Sequence, residues 1–481
     1  MSADASASTP LVVAVIGAGP SGIYAAEALT TQTDIPVEVA VIDRLPVPFG
    51  LVRYGVAPDH HSIRSIRNTL ERTLERTGVA FYGDVTIGRD LTVEELRGAV
   101  DVVLYAYGAG ADRRLGIPGE DLPGSLGAPE FVTWYCGHPD VHPDEHTHAD
   151  VTSDPEAGVD QGAQIARLVR RSRTAVVVGV GNVALDVARV LVKTADELAH
   201  TDMAEEVLAS LAGKHVETVH VLGRRGPAYT AFTTKELREL GQLPDLDLVV
   251  SAEDLELDAS SLAVVAQDKV AARNVAVLRE WAARPPTGAS RRIHLHFWTR
   301  PTQILGEDHV TGVELERTVI GAEGYVEGTG ELSAVDADLV VRSVGYRGVA
   351  LPGVPYDAAT GRVPHAEGRV IRDGGFSPDE YVSGWIKRGP TGVIGTNKSD
   401  AVETVASLLA DVRAGRVAPQ GRSGALDVLL AGRGLQALDL PAWRRIDAAE
   451  VALGTSRGRL RTTLAHRIEL LAAAEHRGGG A

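Results

Sequence analysis

Short apolar runs alternate along the chain with segments of helical period, and most of the runs stop abruptly at glycine. Leu11–Ile16 (LVVAVI) is unbroken by any polar residue, as in a parallel strand covered on both faces. A helix over Ile23–Thr30 and a second apolar strand, Val37–Ile42, follow it. The same order returns later: strand Thr174–Val178, a helix carrying Asp186 and Arg189, then strand Thr218–Leu222. Further buried strands are predicted at Asp101–Tyr107 and Asp338–Val344, and short ones at Val79–Gly83 and Val85–Ile87. Helices are predicted over Ser62–Thr77, Thr233–Leu240 and Asp400–Ala414. Strands alternating with helices imply an α/β fold with parallel sheets. Arg44–His60 holds too many prolines and glycines for a helix and reads as a long loop that wraps a surface or a cofactor. Residues 415–481 alternate short helices with Gly/Arg turns and carry no evident chemistry.

Two of the strands run into glycine-rich turns. The first turn is Gly17-Ala18-Gly19-Pro20-Ser21-Gly22. Gly17 permits the sharp bend, Gly19 the approach of a pyrophosphate, and Gly22 close packing of helix on strand. The open amides of the helix start then face the phosphates. A GxGxxG alone is weak evidence. Here a strand precedes it, a helix follows, and the next strand ends at Asp43, 21 residues past Gly22, where a ribose hydroxyl needs an acceptor. The second turn is Gly179-Val180-Gly181-Asn182-Val183-Ala184, with alanine as the third small residue. Its next strand ends in Gly223-Arg224-Arg225-Gly226-Pro227, with no acid. Paired guanidinium groups suit a 2′-phosphate, although a plain surface turn has the same composition. The two motifs together predict two dinucleotide sites, the first for an unphosphorylated ribose (FAD or NAD) and the second for NADP. Two further segments bear on chemistry. Glu236 and Glu239 share a helix face at a spacing of three. Gly384–Thr396 (GWIKRGPTGVIGT) is a glycine-lined run into a helix, with Trp385 placed to flank a planar ring.

At 481 residues the chain exceeds a single core, and two or three domains are expected. Cys136 is the only cysteine, so no internal disulfide or dithiol pair exists and redox work must fall to a cofactor. That usage also points to the cytoplasm. A net charge of −16 argues against nucleic acid as a partner. No apolar run reaches the ~18 residues of a membrane span, and residues 1–10 read as a disordered tail. His138, His142, His146 and His148 lie in a polar stretch reaching about Gly162; it reads as a mobile acidic loop, and no metal is expected. Lys269, Arg273, Arg279, Arg284, Arg291, Arg292 and Arg300 face only one acid, Glu280. They form either a docking patch for an acidic partner or a solvated helix and hairpin.

Taken together, GAGPSG at 17–22, GLVRYGVAPDH at 50–60, GNVALDVAR at 181–189, GRRGP at 223–227, FTTKELRE at 232–239, VVRSVGYRG at 340–348 and GWIKRGPTGVIGTNK at 384–398 resemble the adrenodoxin-reductase-like ferredoxin–NADP reductases, the bacterial FprA type in particular. The resemblance implies two Rossmann-like domains, an NADP domain (residues 113–343) inserted into an FAD domain (11–112 with 344–481). It implies hydride transfer from NADPH to FAD and single-electron delivery to a ferredoxin or similar acidic iron–sulfur protein. By position, Ala18, Asp43, Leu51, Val85, Trp385 and Gly392, Val393 and Ile394 would contact FAD. Val180, Gly181, Asn182, Val183, Arg224, Arg225, Glu236 and Gly392 would contact NADP(H). His60 and Glu239 would form a charged couple near the flavin, with Asp186 close by. Three positions depart from the family: Tyr229 stands for a usual Gln, Cys136 for a usual Asn, and Asp43 for a frequent Glu. Of the rivals, a flavin disulfide reductase would need a CxxC, and a glutamate-synthase-type electron-input subunit or diaphorase would bring a cysteine-rich cluster segment. The C-terminal GWIKRGPTGVIGTNK argues against a flavin monooxygenase. A non-enzymatic NADP-binding scaffold would purify without colour.

Overall fold

The computed structural model describes residues 9–142 and 160–476. Most of the expected tail over 1–10, and His146 and His148 with their acidic stretch, lie outside them. The chain divides into two units: one built from the chain up to Ala111 together with the chain from Tyr346 onward, the other from Asp112–Gly345. Both are Rossmann-like α/β layers. Among the described residues no helix is long and apolar enough to cross a membrane.

The first unit holds a seven-stranded sheet in the order His365–Ala366, Arg369–Arg372, Gly375–Val382, Val102–Tyr105, Leu11–Ile16, Val37–Ile42, Val79–Tyr82. Its last five strands are parallel. All six residues of Leu11–Ile16 are buried, as expected of the central strand. The following helix starts at Pro20 rather than Ile23, because proline at the first helical position is preset for the helix and needs no hydrogen bond there.

Three local expectations fail. Ser62–Thr77 is two helices, His61–Arg64 and Arg67–Leu74. The Ser65 hydroxyl donates to the Ser62 carbonyl, and amides 66 and 68 bond three residues back, which tightens the chain into a break. Val85–Ile87 is not a strand. Asp84 takes a φ of 64°, and the Val85 amide turns inward to the Asp43 carbonyl at 3.0 Å. The C-terminal helix begins at Thr396, not Asp400, and runs to Arg413.

The second unit holds a six-stranded sheet in the order Ser125–Gly127, Leu339–Arg342, Thr174–Val178, Thr218–Leu222, Arg291–His296, Leu246–Val250, every pair parallel. A three-stranded antiparallel sheet over Thr299–Leu305, Gly312–Ile320 and Val326–Asp336 adds Ile304, Val313 and Leu315 to the core of Val176, Val178, Leu222 and Val340. The Lys269–Arg300 segment forms a helix, Lys269–Ala282, and then a strand of the main sheet, not a hairpin.

Candidate active site

In the first unit the crevice lies at the carboxyl ends of Leu11–Ile16 and Val102–Tyr105, the neighbours from which connections leave in opposite directions. Gly17 has a φ of 108°, and a Cβ there would lie 2.7 Å from the Ala106 carbonyl oxygen. A Cβ on Gly22 would fall 1.9 Å from the Gly17 oxygen. Gly19, by contrast, has open space in front of it, as have Gly108 and Gly110 on the adjoining strand end. The helix Pro20–Thr31 has neither a capping side chain nor an acid in its first turn, so its leading amides remain available to an anion. This cradle fits a dinucleotide. Asp43 accepts from the Ala18 amide at 2.7 Å and the Leu45 amide at 3.0 Å, which fixes its carboxylate at the turn. A carboxylate has acceptor sites left for a ribose hydroxyl.

Residues distant in sequence complete this crevice. The Phe49 amide donates to the Ala18 carbonyl at 2.8 Å, seating the Arg44–His60 loop on the turn. Leu51 opens the Leu51–Tyr54 helix behind Gly50, which has a φ of 48°. Val85 is buried, beside Asp43. Ser21 Oγ lies 2.9 Å from Ser383 Oγ, which donates to Asp400 at 3.0 Å. That chain of bonds draws the Gly384–Trp385 segment to the first turn. Trp385 packs against Tyr346 with ring centroids 5.4 Å apart. Arg388 donates to the Thr391 carbonyl and to Asn397, each at 2.8 Å, and so braces the turn holding Gly392, Val393 and Ile394. His60 is the residue from which the His61–Arg64 helix starts, and its side chain plays no capping part.

The second unit repeats the cradle. Gly179 has a φ of 133° and would clash with the Ser343 carbonyl if it bore a Cβ, while Gly181 is open. The helix Asn182–Val192 starts uncapped and without an acid in its first turn, and Ala184 is fully buried. The Asn182 side chain accepts from the Thr233 amide at 2.8 Å, and the Val180 carbonyl from the Ala231 amide at 2.9 Å. These two bonds bring the 232–239 motif to the turn. Thr318 donates to the Arg224 carbonyl at 3.0 Å, and the Arg225 guanidinium lies 5.4 Å from the Tyr229 ring centroid. Among the described residues neither arginine makes an ion pair, and Arg224 is exposed. Two guanidinium groups without counter-ions thus follow the end of the strand after the second glycine turn.

Of the two acids on the Thr234–Leu240 helix, Glu236 is the buried one. Its carboxylate lies 3.9 Å from Arg189, which also pairs with Asp186 at 2.8 Å. Glu239 is partly exposed and pairs with Lys235 at 3.6 Å. Within this unit Glu236 therefore shares a buried cluster with Asp186 through Arg189. Arg189 is the member that sequence reasoning passed over as a site residue. The basic stretch is thinner than its count suggests: Arg284 pairs with Glu280, Arg291 with Glu197, and Arg300 with Glu316. Lys269, Arg273, Arg279 and Arg292 are exposed and, among the described residues, without ion pairs.

Comparison with known proteins places the chain among flavoprotein and ferredoxin reductases by similarity. Residues 11–242 match the family model described as pyridine nucleotide-disulphide oxidoreductase. NADPH-ferredoxin reductase FprA of Mycobacterium tuberculosis is 41% identical over 96% of this chain and 98% of its own. The mitochondrial NADPH:adrenodoxin oxidoreductase of Arabidopsis thaliana is 37% identical over 97% of this chain and 96% of its own. The structure of M. tuberculosis FprA in complex with NADPH superposes with a TM-score of 0.87 at 40% identity, covering 97% of this chain and all of that one.

Proposed function

The chain belongs to the NADPH-ferredoxin reductase family, and from that membership we propose that it passes electrons from NADPH through FAD to a small ferredoxin-type iron–sulfur protein. The observation that carries the assignment of the two sites is the contrast between strand ends: Asp43 closes the first dinucleotide unit, and Arg224 with Arg225 the second. An acid favours a free ribose hydroxyl and repels a 2′-phosphate, whereas paired guanidiniums do the reverse. FAD therefore belongs to the first unit and NADP(H) to the second.

Bound FAD supplies the conversion between a two-electron donor and a one-electron acceptor. The protein supplies position. Gly17, Gly19, Pro20, Ser21 and Gly22 would hold the flavin pyrophosphate. Trp385 and the Gly392–Ile394 turn would border its ring. Gly179, Gly181, Asn182 and Val183 would hold the second pyrophosphate. Hydride transfer requires no proton donor, so His60, Asp186 and Glu239 are read as groups that orient and tune rather than as obligatory acids. Glu236 and Arg189 join Asp186 in that role. The partner reads as an acidic protein that meets Lys269, Arg273, Arg279 and Arg292. The lone Cys136 accords with a cytoplasmic location.

The test is NADPH-driven reduction of cytochrome c by the purified protein, with and without ferredoxin. A yellow protein with a flavin spectrum and a ferredoxin-dependent rate is expected; colourless protein would refute the reading. His60→Gln should slow flavin reduction moderately with both cofactors retained. Complete loss of reduction with both bound would contradict the tuning role.

A further inference from the structure

The main sheet of the second unit carries a cluster of side chains that the dinucleotide reading leaves unused. His220 lies on Thr218–Leu222, and His294 and His296 lie two residues apart on the neighbouring strand Arg291–His296. Parallel register sets His294 directly beside His220 and His296 beside Leu222. Strand alternation turns the three imidazoles to one face, while Val219, Val221, Ile293 and Leu295 are buried on the other.

The rings converge at their edges. His220 Nδ1 lies 2.9 Å from His296 Nε2, with ring centroids 5.1 Å apart and planes inclined by 28°. That combination is an edge-to-edge meeting in nearly one plane. His294 is 4.9 Å from His220 and 6.0 Å from His296 by centroid, again with nearly parallel planes. One ring nitrogen from each histidine falls within 4.8 Å of the other two. All three residues are half-buried.

We propose that His220, His294 and His296 form a binding site for a first-row divalent cation of the zinc class, with a fourth position open to solvent. Three imidazoles are a recurrent donor set for such ions. Tetrahedral ligands at the usual zinc–nitrogen length stand roughly 3.3 Å apart, so the 2.9 Å pair needs to open by only a few tenths of an ångström. The 2.9 Å contact is a hydrogen bond in which one ring donates to the other, so a bound ion would replace that proton and leave each ring protonated on its other nitrogen. Asp254 lies beside His296, its carboxylate paired with Arg317 and accepting the Phe297 amide at 3.1 Å. The His296 carbonyl also accepts the Gly223 amide at 2.8 Å, so a bound ion would stiffen the strand end from which Arg224 and Arg225 extend.

The test uses the intact flavoprotein, stripped with a chelator and titrated with zinc alone. One zinc per chain, three imidazole ligands by X-ray absorption, and a zinc-dependent rise in Tm are expected. His294→Gln and His296→Gln should each weaken binding by roughly tenfold or more while flavin content and chelator-treated Tm stay at the wild-type level. A His146→Gln, His148→Gln double variant should bind as wild type does. No saturable binding, equal binding by the His294 and His296 variants, or loss of binding in the double variant would each overturn the proposal. Should a substitution cost the flavin, the absorption spectrum of the wild type decides: fewer than three imidazole ligands rejects the site.

Discussion

Tyr229 holds the Arg225 guanidinium over its ring and donates from its hydroxyl to Ser260 at 2.9 Å, which in turn bonds Asp258. The departure from the usual glutamine thus gives Arg225 an aromatic rest. Cation–π contacts are worth about 0.5–2 kcal/mol, so Tyr229→Ala should raise KM for NADPH roughly 2- to 30-fold, and Tyr229→Phe should change it little. Steady-state kinetics of both variants checks this. Arg224 is exposed and, among the described residues, has no ion pair. Losing a hydrogen bond to a charged group costs about 1.5–3 kcal/mol. Arg224→Ala should therefore lower kcat/KM for NADPH roughly 10- to 150-fold and leave NADH untouched; equal losses with both coenzymes would refute the assignment. The arginine pair was legible because a strand end after a glycine turn is a readable position. The Asp186–Arg189–Glu236 cluster was only half legible, since spacing put Glu236 and Glu239 on one face and could not say which edge of it faced Arg189. The histidine trio needed the register between two strands far apart in sequence.

At the scale of elements, the C-terminal helices acquire a purpose that composition did not reveal. Arg53, in the loop seated on the first turn, donates to Glu450 on the Leu440–Ser456 helix at 3.0 Å, and Glu450 also accepts the Leu464 amide at 2.9 Å. Trp443 of the same helix packs edge-on against Phe49 at 5.4 Å. Phe49 has a φ of 85°, a strained value for a bulky residue, and it persists because packing on that helix holds it. Burial alone would raise the Glu450 carboxyl, but the Arg53 guanidinium, with Arg461 and the Leu464 amide, holds it below its ordinary value. Removing one partner of a buried pair costs about 3–5 kcal/mol, so Glu450→Gln should lower Tm and loosen flavin retention. Because the folded carboxyl is depressed, its contribution is complete above the ordinary carboxylate range and fades as pH falls through the folded value. The Tm gap between wild type and Glu450→Gln should accordingly be full near pH 7 and shrink below pH ~4. Strands that end in glycine were plain in the sequence. Val326–Asp336 was not, because nearly all of it is exposed and no apolar alternation marks it. The break within residues 62–77 turned on a serine hydroxyl that hydrophobic pattern does not register.

For the whole molecule, Asp112–Gly345 is contiguous and has its own sheet and core. A fragment of residues 112–345 should fold alone, bind a 2′,5′-ADP resin and carry no flavin; an aggregated or non-binding fragment would contradict an independent nucleotide unit. The overall charge of −16 surrounds a local basic helix and strand. If these basic residues receive the acidic partner, ferredoxin reduction should slow as salt rises while NADPH oxidation by a small uncharged acceptor does not. The other unit is discontinuous, and its sheet closes only when Gly375–Val382 pairs with Val102–Tyr105. On the ribosome, that earlier strand emerges with its edge bare and stays so while the whole inserted segment is made. The contiguous unit can complete itself in the interval, and the nascent N-terminal half-sheet is the part of the polypeptide that most needs a chaperone's cover until its late partner arrives.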